Sequence, residues 1–356
     1  MKKLLAIALM TTLVMGGCSS APTATQERKY EGQTLKIFNW GEYIGENVIS
    51  NFEKEFGCKV VYEMFDSNEM MYAKLQAGDA YDILVPSDYL IERLIEEKLL
   101  MEIDKSKIPN MKNLAEAVLN LDYDKDNTYS VPYFWGSVGL VYNRNNVPDE
   151  LIEEQGYEIL RNTDYSGRVY IYDSERDAFM VALKSLGYSM NTENEEEIEE
   201  AYEWLVELNK TMAPAYVSDE VIDNMINGIK DIAIVYSGDA VVVLDENEGM
   251  RFIMPKEGTN IWSDAMVIPK NAENPDLAHE FMNYMLTYEA SLDNTEFVGY
   301  CSSNQEVLDE MTSDEGWYAE NEAYLPRIGY EKDEIFNDNE VLRRKLSDLW
   351  LKVKAN

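Results

Sequence analysis

Histidine is almost missing from this 356-residue chain, with His279 standing alone. That argues against His-rich metal centres and against Ser-His-Asp chemistry. Cysteine is scarce too. Cys18, Cys58 and Cys301 cannot build a disulfide-rich scaffold or a Cys₄ zinc site. Basic residues are outnumbered, 31 Lys and Arg against 67 Asp and Glu, for a net charge of -36. A uniformly acidic surface repels phosphate backbones, so nucleic acid is excluded as an expected partner. Small cations and amines remain. No phosphate-binding glycine motif stands between a strand and a helix. What the chain does have is apolar and aromatic content, 46% and 11%, too much for wholesale disorder. Its length predicts about two domains.

The N-terminus reads as an address. Residues 1–17, MKKLLAIALMTTLVMGG, carry Lys2 and Lys3 before a short apolar run. The run falls short of the about 20 residues that span a bilayer, so a cleaved secretory signal is expected. Gly16 and Gly17 lead into Cys18. This is similar to a bacterial lipoprotein signal, with Met15 where Leu is usual, and implies acylation of the Cys18 thiol. Residues 18–30 are small and polar, a flexible tether. The mature protein is expected outside the cytoplasmic membrane, lipid-anchored at Cys18. Cys58 and Cys301 are expected as buried free thiols, although a pairing between them stays open.

Beyond the tether, strands and helices alternate. Thr34 to Asn39, Lys59 to Tyr62, Tyr81 to Val85, Asp231 to Tyr236 and Ala265 to Pro269 read as strands. Glu46 to Phe56, Ser67 to Gln76, Ser87 to Lys98, Ser218 to Ile229 and Asp276 to Leu286 read as helices, and a short one follows Asp239. Glu195 to Met212 reads as a helix with a solvated acidic face, and Asn339 to Lys354 as an amphipathic one. This alternation predicts an α/β architecture with open parallel sheets.

In such sheets the ligand crevice lies outside the carboxyl ends of the strands. Trp40-Gly41-Glu42-Tyr43, Ser87-Asp88-Tyr89 and Ser237-Gly238-Asp239 each follow an apolar strand. Trp262, Asp264 and Tyr300 flank two further apolar stretches. Indole and phenol rings together with carboxylates suit an organic cation. Each residue taken singly also has a packing or capping reading. Two other patterns are weaker. Asp122, Asp124 and Asp126 imitate the start of a calcium loop, but Asn127 and Tyr133 stand where Gly and Glu belong. Ser303 to Glu306 reads as a capping box.

The assembled string resembles the polyamine-binding proteins that serve ABC transporters, the spermidine/putrescine-binding lipoproteins. The segments that carry the likeness are NWGEYI, SNEMMYAKLQAGDAYDILVPSDYLIERL, IDKSKIPN, YSVPYFWG, ALKSLGYSMN, MPKEG and VGYCSSN, in the family's order. The resemblance implies a type II periplasmic-binding-protein fold, two α/β lobes with a hinge and a ligand cleft between them. Lobe 1 would hold residues 31–138 and 266–300, and lobe 2 residues 139–265 and 301–356. It also implies ligand-binding roles. Trp40 and Tyr43 match the opening motif's aromatic wall, Ser87 and Tyr89 the PS-x-Y turn, and Trp262 and Asp264 the W-x-D. Tyr300 matches the Tyr of an IGY-like turn, Asp177 an acidic position, and Tyr236 a place where Trp is usual. Ser174 stands where spermidine-preferring members have Asp, and Ser237-Gly238-Asp239 matches putrescine-preferring members. Both differences lean toward a diamine, with Asp264 at one end and Asp239 with Asp177 at the other.

The implied function is capture, not catalysis. A monomer without cofactor or metal binds putrescine or spermidine and hands it to a membrane permease. Two alternatives keep the fold: another organic cation as ligand, or a polyamine sensor rather than a transport component.

Overall fold

A computed structural model of the chain describes residues 28–218 and 220–355. The expected signal peptide, Cys18 and most of the tether lie outside the described residues. Among the described residues, ten strands form one sheet: β1 (Thr34–Trp40), β2 (Lys59–Phe65), β3 (Ile83–Leu84), β4 (Ser130–Asn143), β5 (Val169–Tyr172), β6 (Ala215–Val217), β7 (Ile232–Tyr236), β8 (Met250–Ile253), β9 (Ile261–Val267) and β10 (Cys301–Ser302). Their order is β2-β1-β3-β9-β4-β7-β5-β6, with β8 and β10 each paired to β4.

β4 organises the molecule. Its first part, from Ser130 to Ser137, pairs with β9, and Phe134 and Trp135 also face β10. From Val138 to Tyr142 it pairs instead with β7, and with β8 from Leu140 onward. The strand is an almost unbroken buried run, as a strand covered on both faces must be. One half of the sheet thus centres on β1 and the other on β5 and β7. Helix Gln305–Thr312 packs against Tyr288–Val298 and β10, so the chain returns to the second half only beyond it. The C-terminal helix Glu340–Ala355 packs on Glu175–Ser185 and Glu195–Met212 in that second half. It buries Leu342, Leu346, Leu349 and Trp350, the expected apolar face.

The strand–helix alternation holds, but the sheet is mixed rather than parallel. β1 runs parallel to β2 and β3, and β5 parallel to β6 and β7, as helical crossovers require. β9 and β4, which join the halves, run antiparallel to their neighbours. A strand that carries the chain back between two α/β units has no crossover to set its direction.

Local differences have local causes. β9 starts at Ile261, so Trp262 and Asp264 lie inside the strand and share one face, because side chains alternate along it. Helix Ser237–Glu246 begins directly after β7, which puts Ser237, Gly238 and Asp239 in its first turn. Asn304, not Ser303, caps helix Gln305–Thr312: its Oδ1 accepts from the amides of Glu306 and Val307. Asp124 accepts from the amides of Thr128, Tyr129 and Ser130, so its carboxylate staples a loop. His279 is buried, with Nε2 accepting from the Asp104 amide and Nδ1 against the Pro275 carbonyl. Cys58 and Cys301 are free and buried.

Candidate functional site

The carboxyl ends of β1, β3 and β7 and the outer face of β9 converge where β4 changes partners. Each end delivers an acid or a ring. Tyr43 lies just past β1 and is buried; its hydroxyl donates to Asp264 Oδ2 at 2.8 Å. The other oxygen of that carboxylate, Oδ1, is buried with no hydrogen-bond partner. Tyr236 ends β7 and caps the following helix; its hydroxyl donates to Asp177 Oδ2 at 2.6 Å. Asp177 sits in the first turn of helix Glu175–Ser185, which is capped by the Ser174 side chain. Tyr300 lies just before β10 and donates to Asp239 Oδ1 at 3.3 Å. Three carboxylates are therefore each held by a tyrosine hydroxyl.

The rings connect these pairs edge to face. Ring centroids lie 5.7 Å apart for Tyr43 and Tyr300, 5.0 Å for Tyr300 and Trp262, and 6.3 Å for Trp262 and Tyr236. Phe134 of β4 touches the Tyr43 end and Tyr172 the Tyr236 end. An aromatic path thus runs from Asp264 to Asp177, with Asp239 at its side. Two glycines make it possible. A Cβ at Gly136 would overlap the Trp262 indole, and a Cβ at Gly238 would overlap the Tyr300 ring. Tyr300 comes from the first half of the sheet and Gly238 from the second, so their close approach brings the halves into contact.

Burial dominates the electrostatics. It pushes the Asp264 carboxyl up to about 6, against the opposing effect of the Ser87 and Tyr43 side chains. It also raises Asp177, where the Tyr236 hydroxyl pulls the other way. Asp88 is buried beneath Asp264 and pushed up to about 8, chiefly by desolvation, with the Asp264 charge adding and the Arg176 charge opposing. Tyr43, Tyr236 and Tyr300 are driven well above the usual phenol range by burial and by the carboxylates they face. All three remain hydrogen-bond donors at neutral pH. Water has been taken from all three acids, and Asp264 is raised with no cation among the causes acting on it, an arrangement that favours a cationic guest.

Of the residues singled out from the sequence, Tyr43, Asp177, Tyr236, Asp239, Trp262, Asp264 and Tyr300 form this continuous cluster. Ser87 pairs with Asp264 through an isolated bridge. Tyr89 lies beside it, its hydroxyl accepting from Asn68 Nδ2 at 2.8 Å. Trp40 packs on Phe65 with centroids 4.4 Å apart, its indole Nε1 buried and unpartnered. Asp88, between Ser87 and Tyr89, has its two oxygens on the amides of Tyr89 and Ser263, at 2.7 and 3.1 Å.

Arg176 escaped the sequence reading. Its guanidinium carbon stands 3.6 Å from the centroid of the Tyr89 ring, across the two halves. A signal was present: a cation in the first turn of a helix opposes the helix dipole. Phe134, buried within an apolar strand, carried no signal of its own.

Known proteins now give these features a setting. The profile of the bacterial extracellular solute-binding proteins matches residues 47–326. A spermidine/putrescine-binding periplasmic protein of Salmonella typhimurium is 36% identical over 276 residues, 77% of this chain and 78% of its own. A putrescine/cadaverine-binding protein of Pseudomonas aeruginosa is 30% identical over 367 residues, 99% of each chain. Among solved structures, the spermidine/putrescine ABC transporter substrate-binding protein PotD of Streptococcus pneumoniae superposes with a TM-score of 0.76 at 36% identity, covering 91% of this chain and 99% of that one. A PotD lipoprotein of Treponema pallidum superposes at 0.75 and 28% identity, covering 90% and 99%. The expected periplasmic-binding-protein fold is thus present, and the chain belongs to the bacterial extracellular solute-binding proteins.

Proposed function

We propose that this protein captures a protonated polyamine, with putrescine preferred, outside the cytoplasmic membrane and delivers it to the permease of an ABC transporter. One observation carries the reading: three tyrosine-held carboxylates are joined by a path of aromatic rings, and the relatives sharing this chain's length are named for polyamines. The bound diamine would place one ammonium on Asp264 and the other near Asp177 and Asp239. Trp40, Tyr43, Tyr236, Trp262 and Tyr300 would line its methylenes, and Ser87 and Tyr89 would close the Asp264 end.

The magnitudes suffice. Four buried methylenes give about 3 kcal/mol. Cation–π contacts add about 0.5–2 kcal/mol each, and charged hydrogen bonds about 1.5–3 kcal/mol each. A micromolar complex needs about 8 kcal/mol after the costs of association.

Two lobes, residues 31–138 with 266–300 and residues 139–265 with 301–356, would hinge where β4 changes partners. Closure would follow from tighter binding to the closed form. Anchoring through an acylated Cys18 is proposed from the N-terminal pattern, and the Treponema pallidum relative is itself a lipoprotein. No catalytic step is invoked.

A thermal-shift panel of putrescine, cadaverine and spermidine tests the reading. The melting point should climb with the logarithm of ligand concentration above the dissociation constant. A flat response to every amine would overturn it.

A further inference from the structure

One helix of the first half also holds on to the second. Helix Asp88–Glu96 buries Leu90, Ile91 and Leu94 in one apolar core with Phe38 and Leu84, so it belongs to the half built on β1. Ser87 stands at its N-cap, and the Ser87 side chain reaches the Asp264 carboxylate. Tyr89 and Glu92, three residues apart, share one face of the helix. Both turn to the other half. Tyr89 meets Arg176, and Glu92 Oε2 accepts from the backbone amide of Asp338 at 2.6 Å.

Asp338 is a fixed point of the second half. Asn191 grips the segment before it, donating to the Ile335 carbonyl at 2.8 Å and accepting from the Asn337 amide at 3.0 Å. The Asp338 carboxylate accepts from Arg343 of helix Glu340–Ala355 at 2.8 Å. That helix packs on Glu175–Ser185 and Glu195–Met212. The amide offered to Glu92 is therefore anchored to the opposite half from both sides.

The place does little for Glu92 within its own half. Burial raises its carboxyl, and the charges of Glu96, Asp338 and Asp122 push the same way. Against these, the Asp338 amide stabilises the charged form. The favourable partner of this acid thus comes from across the cleft. Glu92 follows Ser87 by five residues, about 8 Å along the helix axis. One rigid element carries both the contact to Asp264 and the contact to the far half.

We propose that Glu92 is a positioning residue for capture: its hydrogen bond to the Asp338 amide latches the two halves over the filled slot and sets how slowly the ligand leaves. The inference rests on the polyamine reading and adds to it the contact that holds the closed form. A merely structural role predicts something different, a less stable ligand-free protein with the dissociation rate unchanged.

Stopped-flow tryptophan fluorescence with putrescine, on the wild type, Glu92→Ala and Glu92→Gln, separates the two. Glu92→Ala should raise the dissociation rate by about tenfold or more, the scale of a hydrogen bond to a charged acceptor, and leave the association rate within about twofold. Glu92→Gln keeps an acceptor oxygen without the charge, so its dissociation rate should fall between those of the wild type and Glu92→Ala. The melting point of the ligand-free protein should not change. If Glu92→Ala does not fold, a faster dissociation in Glu92→Gln decides in the same way. A dissociation rate equal to that of the wild type, or a loss confined to the association rate, would overturn the latch and leave the polyamine reading intact. A wild type that binds no amine overturns that reading and the latch with it, before any variant is made.

Discussion

The Tyr43 hydroxyl donates to one oxygen of Asp264 at 2.8 Å, while the other oxygen of that carboxylate is buried and unpartnered. The tyrosine fixes the orientation of the acid, and the remaining lone pairs are left for a donor brought from outside. A buried carboxylate in this position costs stability when ionised and becomes favourable once a cation arrives.

Asp264→Asn should weaken putrescine binding by more than tenfold in calorimetry, because a charged acceptor is replaced by a neutral one. An unchanged affinity would remove Asp264 as the ammonium anchor.

The same substitution should stabilise the ligand-free protein at alkaline pH. The folded-state value of about 6 lies above the ordinary Asp value of about 3.9, so the native state holds this proton more tightly than the unfolded chain. The penalty is absent below about pH 4, grows as pH rises, and is complete above about pH 6. Its size is about 2–3 kcal/mol. Denaturant unfolding of wild type and variant should diverge between pH 4 and pH 7 in that direction, and parallel curves would contradict the account.

Binding should lose strength as pH falls through about 6, since protonation of Asp264 removes the negative charge that attracts an ammonium group. The groups facing it are the Tyr43 hydroxyl, which stays protonated throughout, and the Asp88 carboxyl, itself raised to about 8. Calorimetry at pH 5, 6, 7 and 8 should show an affinity drop approaching tenfold per unit below pH 6. Asp264→Asn should flatten that limb, and an equally steep limb in the variant would assign it to another group.

Gly238→Ala places a methyl group against the Tyr300 ring. Gly238 is in helical backbone, so the local fold should tolerate the change. The halves, however, should be held apart. We expect unaltered secondary structure by circular dichroism with at least a tenfold loss of putrescine affinity. Retained affinity would show that Tyr300 can move aside at no cost.

Tyr300→Phe keeps the ring against Trp262 and deletes the hydrogen bond to Asp239. A hydrogen bond to a charged acceptor is worth about 1.5–3 kcal/mol, so a loss of roughly tenfold or more in affinity is expected. Tyr300→Leu should cost more, because the ring is removed as well. A ranking in the opposite order would deny the ring a role.

Much was legible from residues alone because it depends on short-range rules. Gly57, at a φ of 77°, ends helix Val48–Phe56 in the left-handed conformation that glycine adopts freely. Helix Glu195–Met212 follows its own periodicity from end to end. Aromatic and acidic residues at strand ends could be read as site candidates because strand ends in α/β sheets gather ligands. β9 was harder. Trp262 and Asp264 occupy the face turned toward the site, so polar and apolar residues mix and the apolar signal emerges only from Ala265 onward.

The chain by itself determined the alternation of strands and helices, the acidic and aromatic inventory, and the family likeness, since all of these reside in neighbouring residues. Tertiary structure alone decided that Tyr43, Tyr236 and Tyr300 would each hold a different aspartate, that Gly238 would meet Tyr300, and that Arg176 would cover Tyr89. Those partners lie 59 to 221 residues apart along the chain where hydrogen-bonded. Contacts of that range are set by sheet order and by the partner change within β4, and no local pattern in the sequence encodes which distant side chain arrives.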